Sequence, residues 1–408
     1  MKNPLRKRLK RELVSELGKY LVIFILITGM IGMVSGFLVA DDSIVAAYDA
    51  SFEKYNIEDG LFEVKDPLTK SRKNKIEKNN ITIYENYYVE LEGEDGNILR
   101  VFENRDQVDL ACIMDGRLAN APGEIAIDRM YADNNKLSVG DSISMGSGEY
   151  EIVGLVALPD YSALFENNSD TMFDALKFAV AVVDKEQFDS YNKAMVTYRY
   201  SWKYNEAISD VDKESKVSEN LMSEINSIVA LQEFIPRYIN NAIMYSGTDL
   251  TGDRAMMLTL LYILIAIVGF VFAVITANTL EKESAVIGTL RATGYSRGEI
   301  VRHFLAMPCF VTIAGALAGN ILGYTYFKVL MADLYYASYS LVSYTTILNA
   351  NAFWQTTVIP LLMILVINYF ILSYMMKLSP LKFIRRDLRR RGQKRGTCGY
   401  KAVLCARF

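Results

Sequence analysis

Glu281–Arg302 reads EKESAVIGTLRATGYSRGEIVR, a short mixed-charge stretch held between two long apolar runs. Met256–Leu280 precedes it and Phe304–Phe327 follows, and neither run contains Asp, Glu, Lys or Arg. Tyr20–Ala40 and Trp354–Met376 share that character. About 20 mostly apolar residues suffice for a helix to cross a hydrocarbon core about 30 Å thick. Lipid admits only segments whose backbone polar groups are satisfied internally, so each run reads as a transmembrane helix. The expected fold is an α-helical membrane protein with four transmembrane helices, at 20–40, 256–280, 304–327 and 354–376. An α+β extracytoplasmic domain, 41–255, is expected between the first and second.

Composition agrees with that mixture. The 408 residues are 51% hydrophobic with mean hydropathy +0.13, too apolar for an ordinary soluble domain and too polar for a chain wholly in lipid. Charge gives the orientation. Region 41–255 holds 21 Lys and Arg against 40 Asp and Glu, a net −19, while the rest of the chain nets +16. The cations gather before the first span, after the fourth and in the 281–303 loop, whereas 328–353 has only Lys328. The positive-inside rule therefore predicts cytoplasmic N and C termini, a cytoplasmic 281–303 loop and a short outer loop at 328–353. Residues 1–19, with Leu5, Leu9, Leu13 and Leu17 among Lys and Arg, read as a cytoplasmic amphipathic segment, and 377–408 as a basic cytoplasmic tail. The first run is longer than a signal-peptide core, which favours an uncleaved anchor.

The outer region carries strand and turn signals. Ile81–Leu91 and Ile98–Glu103 flank Glu94-Asp95-Gly96-Asn97, and Ile143–Met145 and Tyr150–Val156 flank Gly146-Ser147-Gly148. Phe178–Val183 reads as a buried strand. Ser215–Phe234 reads as a helix with apolar residues at 217, 221, 225, 228 and 229.

Catalytic chemistry finds little support. No GxxxxGK[ST] occurs, so this chain has no P-loop for ATP. His303 is the single histidine and sits at the mouth of the third span, where an interfacial role is expected. Cys112, Cys309, Cys398 and Cys405 lack metal or disulfide spacing and read as free thiols. The acidic runs near 92–95 and 210–212 read as solvated turns, and the Asn167-Asn168-Ser169 sequon as a chance match. No cofactor, no metal, no catalytic residue and no nucleic-acid partner are expected.

Small residues mark helix contacts. Gly315, Gly319 and Gly323 repeat every fourth residue on the third span, and Gly32 and Gly36 do so on the first, a spacing that lets backbones approach. Asn278, Asn320 and Asn368 are expected to hydrogen-bond between helices, since an amide in lipid needs a partner. Pro308 and Pro360 are expected to kink their helices. In 281–303, Ala285–Ala292 is expected to extend the second span with Val286, Ile287 and Leu290 on one face. Gly294 is expected at a helix end, and Ser296 with Glu299 has capping-box spacing.

The residues Glu283, Ile287, Gly288, Leu290, Arg291, Ala292, Thr293 and Gly294 resemble the REIGILRALGA signature of FtsX-like, MacB-type ABC transporter permeases. GRLANAPGEIAID (116–128) and LSVGDSISMGSGEYEIVGLV (137–156) resemble that family's extracytoplasmic core domain. SPLKFIRRDL (379–388) is similar to its NPLKALR ending. LPDYSALF (158–165) looks like a Gram-positive branch whose permeases carry two such repeats, so the chain is expected to be one repeat of a larger permease, in truncated form. The resemblance implies a permease subunit in a bacterial plasma membrane. It implies coupling of ATP hydrolysis on a separate P-loop ATPase to movement of the outer domain, for export, extraction or signalling. Implied partners are that ATPase, a second permease unit (homodimer or second repeat) and membrane lipids. The implied ATPase-coupling residues are Glu283, Ile287, Gly288, Leu290, Arg291, Gly294 and Arg297. The alternative is a non-transporting anchored sensor whose outer domain activates an extracellular partner such as a cell-wall hydrolase.

Overall fold

A computed structural model describes residues 14–93, 96–208 and 210–377. Glu94, Asp95, Cys398, Cys405, the 379–388 ending and Leu5, Leu9 and Leu13 of the amphipathic preface lie outside the described residues.

In chain order, α1 spans Leu17–Lys54. The strand β1, Gly60–Val64, and the short α2, Lys70–Ile76, follow; the Thr69 hydroxyl caps α2 by accepting from the Arg72 N–H. Next come β2 (Ile81–Glu85), β3 (Tyr88–Glu92), β4 (Ile98–Glu103), β5 (Cys112–Gly116) and β6 (Glu124–Asp128). Asp128 caps α3, Arg129–Asn135. Then β7 (Ser142–Met145) and β8 (Gly148–Ala157) form a hairpin, followed by β9, Phe178–Val183, buried throughout. Asp184 caps α4, Lys185–Ser190, ahead of β10, Val196–Tyr204. Asp210 caps α5, Val211–Ile228, and β11 is Leu231–Pro236. The chain continues through α6 (Asn241–Lys282), α7 (Ser284–Ala292), α8 (Arg297–Ser338) and α9 (Ala350–Met375).

Several boundaries differ from the sequence reading. The expected 215–234 helix stops at Ile228, and Leu231–Pro236 pairs with β1 instead, because a strand partner outweighs the helical period there. The 81–91 run is two strands, and β3 rather than the whole run pairs with β4. The 328–353 region is not a simple loop: α8 runs on through a π-helical turn, Gly323–Phe327, to Ser338. Pro308 sits inside α8, with the Thr312 hydroxyl donating to the Pro308 carbonyl at 2.7 Å, and Pro360 follows a second π turn, Trp354–Val358.

Four helices, α1, α6, α8 and α9, are long and apolar enough to cross a membrane. The chain divides into two units. One takes the described residues up to Val34, Leu258–Leu322 and those from Asn351; the other takes Ser35–Met257 and Gly323–Ala350.

In the second unit an 11-stranded mixed sheet runs β11-β1-β10-β3-β4-β9-β6-β8-β5, with β2 on β10 and β7 on β8. Alternation along each strand sorts its two faces. Phe62 and Val64, Tyr200 and Trp202, Val89 and Leu91, and Leu99 and Val101 enter two apolar cores. Their neighbours Glu63, Arg199, Ser201, Tyr88 and Arg100 fall on the opposite side, so that face is polar although buried. Removing Trp202, fully buried and stacked on Phe234, would cost about 3–5 kcal/mol.

Candidate functional site: an elbow and a buried polar seam

The elbow belongs to the first unit. A break at Glu283 (φ −95°, ψ 8°) separates α6 from α7, so Ala285–Ala292 is helical but does not continue the second span without interruption. The end of α7 is a Schellman motif: the Tyr295 N–H donates to the Leu290 carbonyl at 3.1 Å and the Gly294 N–H to that of Arg291 at 3.4 Å. Gly294 has φ +103°, which a side chain would strain. Ser296 and Glu299 then close a capping box: the Ser296 N–H donates to Glu299 Oε2 at 2.9 Å and the Glu299 N–H to Ser296 Oγ at 3.2 Å. Two helices thus meet at one turn, each end satisfied locally.

Packing fixes the elbow's orientation. Ile287 is buried with Leu280, Ile300, Val301, Phe304, Leu372 and Met376, and Gly288 and Ser284 are buried beside it. Leu290 and Arg291 are half-buried, while Gly294 and Arg297 are exposed. Val286 does not share the buried face with Ile287, as expected from sequence, but is 45% exposed on the Leu290 side. The reason is the helical step of about 100° between neighbours. Burial, with Arg297 nearby, pulls the Arg291 guanidinium below its usual range.

The glycines lie at close crossings. A Cβ at Gly315 would stand 2.9 Å from Ile27 Cγ2, and one at Gly319 would stand 2.9 Å from the Thr28 carbonyl and 3.1 Å from the Gly32 nitrogen. In the second unit, a Cβ at Gly36 would stand 2.5 Å from Phe327 Cβ, and Gly323 is buried where the π turn begins. The Asn320 amide donates to Thr357 Oγ1 at 2.7 Å and that of Asn368 to the Gly269 carbonyl at 3.3 Å. Asn278, by contrast, is exposed. His303 is buried, with its ring edge-on to Phe304.

A second set of residues was marked in the sequence only by the resemblance of 158–165, not as a buried polar site. Leu158–Phe165 is buried along its whole length and covers the polar face of the sheet. Tyr161 Oη accepts from Arg199 at 2.7 Å and from Arg100 at 2.9 Å. Asp160 pairs with Arg105 at 2.7 Å. Ser162 donates to the Ala242 and Ile243 carbonyls at the start of α6, both at 3.1 Å, and meets Ser246 at 2.7 Å. Tyr48 of α1 donates to the Ile243 carbonyl at 2.8 Å. One segment therefore joins the sheet to the part of α6 in this unit, and Tyr48 ties α1 to the same α6 turn. Nearby, Arg254 pairs with Asp41 at 2.8 Å and also with Asp42.

Carboxyls crowd this seam. Ser201 Oγ donates to Glu58 Oε2 at 2.5 Å and lies 3.0 Å from Asp109 Oδ2; the Glu58 N–H donates to Asp109 Oδ1 at 2.8 Å. Burial, then Asp109 and Asp160, drive the Glu58 carboxyl well above its usual range. Burial, then Asp160, lift Asp109 to about 6, and burial lifts Asp128 to about 6. Burial opposes the charge of Arg105, but Asp160 and Asp109 outweigh it and raise that guanidinium. Among the described residues no cluster of His, Cys, Asp and Glu has the geometry to hold a metal ion.

This architecture defines a membrane protein with four apolar helices and a mixed α/β domain. Residues 258–380 match the family of FtsX-like permease C-terminal domains, which is the resemblance read from 281–294. The matched residues include the elbow and Gly315 and Gly319 of the helix crossing. Among solved structures, the periplasmic region of MacB from Actinobacillus actinomycetemcomitans is similar at 10% identity, over 41% of this chain and 83% of that chain, with TM-score 0.25. A likeness that slight does not bear on the fold of the sheet-bearing unit. No curated protein matches the chain.

Proposed function

We propose that the chain is the membrane subunit of an ABC-type transporter, and that the 281–303 elbow receives the push of a separate P-loop ATPase. The observation carrying this reading is the elbow within the FtsX-like domain. Its two helices are capped on themselves, its root is seated by Ile287, and its outer face offers Val286, Thr289 and Leu290. A rigid, apolar-tipped turn with satisfied ends transmits force without unravelling, because no backbone group must find a new partner. Glu283, Gly288, Arg291, Gly294 and Arg297 shape that turn and its charge. The charge asymmetry supports placing the elbow and both termini in the cytoplasm of a bacterial plasma membrane.

In the outer unit, Leu158–Phe165 links the sheet to α6, and Tyr48 ties α1 to the same α6 turn, so movement of those helices there is passed to the sheet through Tyr161, Asp160 and Ser162. The work done is export, extraction or signalling, with a second permease unit completing the assembly. The test is purification of the chain from its native membrane with its bound proteins. An ATP-hydrolysing P-loop subunit retained by wild type, and lost when the elbow is altered, supports the reading; a chain that retains none overturns it.

A further inference from the structure

A groove of about 460 Å3 opens between α8 and α9 in the first unit, lined by Arg297, Val301, Arg302, Leu305, Tyr369, Met376 and Lys377 among others. Its chemistry is graded along the helices. Arg297 and Arg302 precede the apolar run that begins at Phe304, and Lys377 follows the run that ends at Met376, so three cations sit at one end. Leu305 and Tyr369 lie within the apolar runs and line the rest. All three cations are exposed, and among the described residues none has an ion-pair partner. The nearest acidic neighbour in sequence, Glu299, is turned back onto Ser296. The α8 N-terminus adds its own positive end beside Arg297.

From this geometry we propose that the groove is a binding site for an anionic phospholipid. The phosphate sits among Arg297, Arg302 and Lys377, and an acyl chain follows Leu305 and Tyr369. Charge complementarity selects the occupant. Three cations against one carboxylate, Glu299, which is hydrogen-bonded to Ser296, leave a net positive end that attracts a net-negative headgroup and repels the choline of a zwitterionic one. The apolar half lies at the depth of the spans, where the medium facing it is acyl chain. Each basic residue near an anionic lipid surface strengthens binding by about fivefold, so removing two weakens it roughly 30-fold. The proposal does not need the coupling reading or a chosen orientation, since lipid preference is measured on the purified chain without an ATPase.

The experiment measures thermal midpoint and lipid retention of the full chain in detergent with added phosphatidylglycerol, phosphatidylcholine or inorganic phosphate. Wild type is expected to be stabilised and occupied by phosphatidylglycerol alone. The Arg302→Gln/Lys377→Gln variant should lose that preference, although the basic residues after Lys377 are unchanged. The swap Arg302→Lys/Lys377→Arg should keep it. Leu305→Trp, which fills the apolar half and leaves every cation in place, should also lose it. Equal stabilisation by phosphatidylcholine, stabilisation by inorganic phosphate, or full preference in either the double-Gln or the Trp variant would overturn the site.

Discussion

The Arg199 guanidinium donates to the Tyr161 hydroxyl at 2.7 Å, joining strand β10 to the segment that covers the sheet's polar face. Arg100 reaches the same oxygen at 2.9 Å, so one acceptor serves two buried cations. Tyr161→Phe removes that acceptor and keeps the ring. Loss of a buried acceptor costs about 1–3 kcal/mol, which lowers the thermal midpoint of a domain this size by about 2–4 °C per kcal/mol. An unchanged midpoint would mean that the hydroxyl contributes nothing.

The seam's carboxyls set a pH dependence of unusual sign. Glu58, Asp109 and Asp128 have folded values above their unfolded ones, so the folded state holds more protons. Their stabilisation is full below the unfolded carboxyl range; for Asp109 and Asp128 it is lost as pH rises through about 6, and Glu58 shifts in the same direction. Glu124, pulled to about 2 by its bonds with Arg117, acts oppositely, but its gain is complete above the unfolded range. Between pH 5 and 7.5 the raised groups therefore decide, and the melting midpoint should fall with rising pH. Asp109→Asn should flatten that slope; a wild-type midpoint that rises over this interval would contradict the assignment.

Helix contact predicts a ranking of glycine variants. Gly319 faces the Thr28 backbone oxygen, which cannot yield cheaply, whereas a Cβ at Gly269 meets only Ile367 Cδ1, the end of a flexible side chain, at 2.7 Å. Gly319→Leu should abolish folded yield, Gly319→Ala should lower the midpoint, and Gly269→Ala should be nearly silent. Equal tolerance of all three, read by size-exclusion profile and melting, would show that the α1–α8 crossing is loose.

These contrasts follow how far each feature depends on local sequence. The four apolar runs were legible because lipid forbids charge over their whole length. The elbow was legible because Gly294 and the Ser296–Glu299 pair act within a few residues. The seam was not. Ser201 meets Glu58 across 143 positions, and Arg105 meets Asp160 across 55, so no window contains both partners. A signal did exist at Arg100, a cation inside the apolar strand ILRVFE, and its alternation with Leu99 and Val101 marks a buried polar face. The 231–236 strand was masked because Val229 and Leu231 also fit the period of α5.

Orientation has a direct readout. Ser144 and Leu348 are exposed in the second unit, and Thr289 is exposed on the elbow. Single cysteines at Ser144 and Leu348, in a background lacking the native thiols, should react with an impermeant maleimide on intact cells, and one at Thr289 only after lysis. Labelling at Thr289 before lysis would reverse the topology.

The central claim is that the elbow's apolar outer face is what an ATPase subunit grips. Val286 and Leu290 lie one helical turn apart on that face, while Lys282 is exposed at the end of α6. The decisive measurement compares Val286→Glu, Leu290→Asp and Lys282→Ala for retention of the co-purifying ATPase and for ATP-dependent change in distance between spin labels at Ser144 and Thr289. Val286→Glu and Leu290→Asp should each lose both signals with an unchanged melting midpoint, and Lys282→Ala should lose neither. Full ATPase retention and full ATP response in Val286→Glu and Leu290→Asp would contradict the account.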